Sequence, residues 1–167
     1  VKDLASALAE EVAALVAAGA THVQIDEPAL TLYPRDVSLA LEGLDTIASR
    51  KGAATLTLFT YFGEVTKIFK ELQAAPADLL GLDLVQGAKM WGLLSKSGSE
   101  KPLVLGLIDA RNTKPEDPRA VAKQVLTLKG KVDLASSYLS PSNGLEFLPR
   151  DKAREKLRIL VAAAKHA

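Results

Sequence analysis

Leu103-Val104-Leu105-Gly106-Leu107-Ile108-Asp109-Ala110-Arg111-Asn112 is the stretch on which the fold turns. An unbroken apolar run of this length is too short for a helix, and it stops abruptly at two ionisable residues and an amide. A run that never alternates with polar residues is the mark of a strand covered on its faces, as in parallel sheets flanked by helices. Four other segments repeat the design. Thr21 to Ile25 ends in Asp26-Glu27-Pro28, Ala54 to Tyr61 ends in Thr60-Tyr61, and Leu79 to Val85 carries Asp83 near its end. Val132 to Ser136 leads into Ser136-Ser137-Tyr138 and on to Asn143-Gly144.

Helical spacing fills the intervals. Leu4, Leu8, Val12, Leu15 and Val16 recur on one face, with Gly19 as the stop. Asp36 is placed to cap a helix from Val37 to Ser49. Glu64 to Gln73 reads as one amphipathic helix with Val65, Ile68, Phe69 and Leu72 together, and a short helix is expected over Ala88 to Leu94. Asp117-Pro118 starts another helix that runs to Leu128, and the last helix covers Lys152 to Lys165. Five strands alternating with helices require a parallel sheet, and no linker divides the chain. The reading is therefore an α/β fold made of about five late β/α units of a (β/α)8 TIM-type barrel, with an open doubly wound parallel sheet as the alternative. Residues 1–167 form one partial barrel domain. Because Val1 opens inside a helix, the natural chain is expected to begin earlier.

Composition excludes several functions. Net charge is +1 with mixed signs along the chain, which argues against the clustered basic face that nucleic acid needs. No apolar run approaches the roughly 20 residues of a membrane helix. There is no cysteine, which removes disulfides, thiolate metal sites and a cysteine nucleophile, and makes a cytoplasmic location the expectation. No Gly-x-Gly-x-x-Gly motif follows any strand, which weakens the nucleotide-binding version of an open sheet. Ser136 and Ser137 have no evident base, since His22 lies at a strand start and His166 in the tail.

All five strands place polar side chains at the same end, and in barrels that end carries the site. The candidate substrate-binding residues are Asp26, Glu27, Tyr61, Asp83, Asp109, Arg111, Asn112 and Asn143. Neighbours on a strand point to opposite faces, so only one of Asp26 and Glu27 is expected at the barrel mouth. Asp109 and Arg111 also fit a simple ion pair, and an Asp or Asn after a strand is often only a cap or turn residue.

Six segments resemble cobalamin-independent methionine synthase, in order. They are Val23-Gln24-Ile25-Asp26-Glu27-Pro28-Ala29-Leu30; Thr60-Tyr61-Phe62; Leu82-Asp83-Leu84-Val85-Gln86-Gly87; Gly106 to Asn112; Ala135-Ser136-Ser137; and Asn143 to Arg150. The resemblance implies an enzyme of two related barrels that moves a methyl group from 5-methyltetrahydrofolate to homocysteine. It implies zinc in the C-terminal barrel, on a His, two Cys and a Glu. The equivalent positions here are Phe59, Tyr61, Asp83 and Asn143, which points to the later strands of the N-terminal, non-zinc barrel. On this resemblance the chain carries no catalytic residue and no metal, and serves as scaffold and folate-side binding domain. Asp26 matches the amino-acid-binding Asp of the family's other, catalytic barrel. The implied partners are the missing barrel strands, a zinc-bearing partner barrel and the small molecules folate and homocysteine. Two other readings stand beside it: a stand-alone or split-gene paralogue with another methyl-transfer role, of the uroporphyrinogen-decarboxylase-like type, and a non-catalytic subunit. A five-strand sheet has two open edges, expected at Thr21–Ile25 and Val132–Ser136, so self-association is a further expectation.

Overall fold

The computed structural model describes all residues, Val1 to Ala167. Five strands form one parallel sheet in sequential order: β1 (His22–Asp26), β2 (Thr55–Thr60), β3 (Leu79–Asp83), β4 (Leu103–Ile108) and β5 (Tyr138–Pro141). Helices α1 (Lys2–Ala17), α2 (Ala29–Leu32), α3 (Val37–Ala48), α4 (Phe69–Gln73), α5 (Lys89–Ser97), α6 (Pro118–Leu126) and α7 (Arg150–Ala164) accompany them.

Strand parity separates two faces. Leu56 and Leu58 of β2, Leu80 and Leu82 of β3, and Leu103 and Leu105 of β4 point outward into a cluster shared with the helices, which contribute Leu44, Leu72, Met90, Leu94 and Val125. The opposite parity points inward, where Phe59, Leu79 and Val104 make a small separate cluster with Tyr61 against it. Gly81 faces the same way. A Cβ there would lie 1.5 Å from the Phe59 ring, so the ring rests directly on the β3 backbone.

The sheet is curled. The inward side chains His22 of β1 and Tyr138 of β5 meet, with ring centroids 6.2 Å apart and Tyr138 Oη 3.4 Å from His22 Nε2. All main helix contacts lie on the outer face, and the strand order never reverses. A doubly wound sheet has helices on both faces and a reversal point, so that alternative is excluded. The architecture is an open, curled half-barrel of five strands, with free edges at β1 and β5.

Three expectations need correction. Val132–Ser136 is not the fifth strand. Val132 makes an isolated bridge with Lys129, and the Asp133 carboxylate then accepts the Ala135 and Ser136 N–H groups, curling the chain into an Asx-type turn. Ser137 Oγ accepts the Leu103 N–H, so Ser136 and Ser137 sit at the entrance of β5 rather than at its C-terminal end. The second free edge is accordingly Tyr138–Pro141.

Glu64–Gln73 is not one helix. A single 3-10 turn, Thr66–Ile68, precedes α4, and Val65 and Ile68 have non-helical backbone angles. Val65, Ile68, Phe69 and Leu72 are nonetheless all buried, so the apolar spacing is satisfied without a continuous helix.

Asp36 stands at the start of α3 but makes no capping bond, because a 3-10 turn over Pro34–Asp36 feeds straight into the helix. Asp117, by contrast, caps α6 by accepting the Arg119 N–H at 3.0 Å.

Candidate functional site

The loops that follow the strands meet at the C-terminal end of the sheet. Asp26, last residue of β1, faces inward and is exposed; Gln24, two residues earlier on the same face, donates to its Oδ1 at 2.8 Å. Tyr61 follows β2 and directs its hydroxyl toward Asp26 Oδ2 at 3.5 Å, a long contact. Burial raises the Tyr61 pKa, and the charges of Asp26, Glu146 and Glu27 push it further up. The phenol therefore stays protonated and available as a donor.

Phe62 is the one non-glycine residue with a positive φ, +69°. That conformation is unusual for an aromatic residue and is held from outside. The Phe62 N–H donates to Asp83 Oδ2 at 3.0 Å, while Asp83 Oδ1 accepts from Val85 and Gln86. Asp83 is only 1% exposed. Burial raises its pKa, and the nearby Asp109 charge adds to this against the three amide bonds, which lower it. Both Asp83 oxygens are thus occupied in joining the loop after β2 to the loop after β3.

Held in this way, the exposed Phe62 ring meets Tyr61 edge to face at 4.7 Å, and the Arg111 guanidinium lies 5.4 Å from its centroid. A cation over an aromatic face is worth about 0.5–1 kcal/mol when exposed. Arg111 is not paired with Asp109 through its guanidinium. Asp109 Oδ1 instead accepts the Arg111 backbone N–H, and its Oδ2 accepts the Asn112 side-chain amide. Asn112 Oδ1 in turn accepts the Lys114 N–H. Asp109 and Asn112 therefore shape the loop, and Arg111 is the side chain it presents.

Glu27 parts from Asp26, as strand parity requires. It lines a groove between α1 and α3 with Val1, Leu39 and Ala40. Asn143, after β5, is buried; its Oδ1 accepts from Ser142 Oγ and its Nδ2 donates to the Gly144 carbonyl. The structure thus brings Asp26, Tyr61 and Arg111 into one row through Phe62, places Asp83 at the end of β3 and Asp109, Asn112 and Asn143 in the following loops, and turns Glu27 into the groove beside the row, near enough to add its charge at Tyr61.

Two acidic groups escaped the reading of the sequence. Glu146 folds back over Gly144 and contributes negative charge at Tyr61. It is the one acid between Asp133 and Asp151, a signal that was available. Glu116 is the other, and its partner Lys156 lies 40 residues away, which no local pattern discloses.

The positions equivalent to the zinc ligands do not fit a metal. Phe59 has no donor atom and covers Gly81, both Asp83 oxygens accept backbone amides, and Asn143 is bonded through both polar atoms. Tyr61 alone keeps an available oxygen, and one phenol does not make a tetrahedral site.

Comparison with known proteins adds a lineage. Residues 1–133 match the family described as cobalamin-independent synthase, N-terminal domain. The chain is 33% identical over 158 residues to the 5-methyltetrahydropteroyltriglutamate–homocysteine methyltransferase of Bacillus cereus, covering 92% of this chain and 21% of that one. It is 32% identical over 165 residues to the methionine synthase of Saccharolobus solfataricus, covering 98% of this chain and 49% of that one. A solved B12-independent methionine synthase from Shewanella, in complex with selenomethionine, superposes with a TM-score of 0.86 at 23% identity, over 97% of this chain and 52% of that one. A vitamin-B12 independent methionine synthase from Listeria monocytogenes gives 0.72 at 16%. The chain spans about a fifth to a half of the length of these relatives. With a family match over most of its length and the sheet in common, this chain belongs to the cobalamin-independent methionine synthase family, on its N-terminal-domain side.

Proposed function

We propose that this half-barrel is the small-molecule-binding part of a methyl-transfer barrel, and that it binds the folate methyl donor without activating the thiol acceptor. The observation that carries the reading is the row Asp26, Tyr61, Phe62 and Arg111 across the strand ends. A flat heterocycle with N–H donors at one end and carboxylates at the other matches this order. Asp26 and Glu146 accept N–H groups, the aromatic pair offers a stacking surface, and Arg111 meets a carboxylate tail. Asp83, Asp109, Asn112 and Asn143 hold the loops in place, and Glu27 adds negative charge from the side. Zinc, if the complete enzyme uses it, belongs on another barrel or chain, because the residues here do not fit it.

A second form of the reading is a paralogue or subunit working with a separate metal-bearing barrel, beside a relative, the Saccharolobus methionine synthase, of which this chain covers 49%. Under this reading the free edges of β1 and β5 receive strands from a preceding segment, a partner chain or a second copy, and the protein works in the cytoplasm. No helix is long and apolar enough to cross a membrane.

Calorimetric titration of the intact protein with 5-methyltetrahydropteroyltriglutamate, and separately with homocysteine, tests the reading. The folate is expected to bind and to lose about tenfold in affinity with Arg111→Ala, as for a charged hydrogen bond worth roughly 1.5 kcal/mol. Failure of the folate to bind, or binding indifferent to both Asp26→Asn and Arg111→Ala, refutes it.

A further inference from the structure

Lys156 lies on α7, outside the row of strand-end side chains, and is 1% exposed. A lysine is almost never so completely buried unless it is paired, and an aliphatic residue would fill the same space at less cost. Its ammonium donates to the Lys114 carbonyl at 2.6 Å and to Glu116 Oε1 at 2.7 Å. The same Glu116 oxygen accepts the Asp109 N–H at 3.0 Å. The other oxygen, Oε2, is buried with no partner, so the carboxylate is oriented through Oε1 alone. Asp109 then fixes Arg111 through its backbone N–H. An unbroken relay therefore runs from the middle of α7 to the backbone of Arg111, the residue whose guanidinium stands over Phe62.

We propose that Lys156 is a positioning residue: acting through Glu116 and Asp109, it sets where Arg111 stands at the mouth and so tunes affinity for the anionic end of the ligand. The placement of the loop is independent of which ligand binds; the effect on affinity rests on the folate-binding reading above. Both bonds of the Lys156 ammonium go to the loop after β4, to Lys114 and Glu116, so its effect travels through that loop.

Two measurements on the intact protein test this. The first needs no ligand. Hydrogen exchange is compared at the Arg111–Lys114 amides and at the β2 and β3 amides in wild type, Lys156→Met and Glu116→Gln. The Met variant is expected to speed exchange in the loop about tenfold while β2 and β3 stay as they are. Glu116→Gln keeps an acceptor for both donors but removes the counter-charge, and is expected to speed exchange in the same loop.

The second is a double-mutant cycle on the affinity for 5-methyltetrahydropteroyltriglutamate, using Arg111→Ala with Lys156→Met, or with Glu116→Gln should the Met variant not fold. If the relay acts through Arg111, the double variant binds about as weakly as Arg111→Ala alone. A merely structural lysine would give losses that multiply. Unchanged loop exchange in both relay variants, or multiplying losses in the cycle, overturns the proposal. If the folate does not bind, or binds indifferently to both Asp26→Asn and Arg111→Ala, the folate reading fails, and the exchange experiment still decides whether Lys156 holds the loop; if only Arg111→Ala is without effect, the affinity part of the proposal is overturned.

Discussion

Two aspartates five residues apart, one just before β3 and one at its end, mark the two ends of the sheet and behave in opposite ways. Asp78, just before the strand, accepts the Leu56 N–H at 2.7 Å and pairs with Lys51 at 2.9 Å. Burial pushes its pKa up, but the amide bond and the Lys51 charge outweigh that and hold it below the usual carboxylate range. Lys51 also donates to the Ala54 carbonyl, and Lys101 to that of Ala77, so cations fasten this end. Asp83, at the other end, has three amide bonds and no cation, lies near Asp109, and has its pKa raised. The same end crowds Asp26, Glu146 and Glu27 around Tyr61. One end of the half-barrel is electrostatically settled; the other keeps unspent negative charge where a ligand can use it.

The comparison breaks first on amputation. Asp83→Ala leaves three backbone N–H groups without an acceptor and frees Phe62 from its left-handed conformation; a loss of about 3 kcal/mol is expected. Asp78→Ala strips one amide partner and a half-exposed ion pair, for about 1 kcal/mol. Urea unfolding followed through Trp91 fluorescence measures both, and equal losses would erase the distinction between the ends.

The sign of the pH dependence sharpens it next. The folded pKa of Asp83 lies above the unfolded value of about 3.9, so the native state binds the proton more tightly and this group's contribution declines as pH rises through that window. The deficit of Asp83→Asn relative to wild type should therefore shrink as pH rises from about 4 through the folded value. The folded pKa of Asp78 lies below the unfolded value, so its contribution is present above about 3.9 and is lost as pH falls through the folded value. The deficit of Asp78→Asn should shrink toward pH 3. Unfolding free energies across this range show whether the two trends run in opposite directions.

Smaller effects come last. Lys51→Met should cost no more than about 1 kcal/mol, since Asp78 is nearly half exposed and solvent screens the pair. Tyr61→Phe should leave stability within about 0.5 kcal/mol, because its bond to Asp26 is long, while weakening folate binding several-fold. A large stability loss in the Tyr61 variant would mean that the row at the mouth is structural after all.

Strands β2, β3 and β4 were legible because their side chains are buried almost throughout, and β1 because Val23 and Ile25 run into Asp26-Glu27-Pro28. The fifth was not. Tyr138-Leu139-Ser140-Pro141 buries only Leu139 outward, faces open space inward, and ends in a proline that an edge strand tolerates. Val132 to Ala135 looked more strand-like, yet Asp133 turns the chain by a bond to its own neighbours. At the site, the position of Asp26, Tyr61 and Arg111 after strands was readable from pattern. What Asp83 and Asp109 do there was not, since an aspartate at a strand end looks the same whether it meets a ligand or a backbone amide. The φ of Phe62 and the pairing of Lys156 with Glu116 depend on contacts between distant segments, and no local spacing encodes them.

The meeting of His22 with Tyr138 works as a caliper. Strands four places apart touch through their inward rings, so five strands already bend through a fixed arc and the radius is set before any further strand is added. Whatever segment docks at the two free edges finds a gap of preset width and must conform to it. The half-barrel is then a template for its complement, and spectroscopic probes on those two rings would register a change in curvature as a change in distance across the diameter.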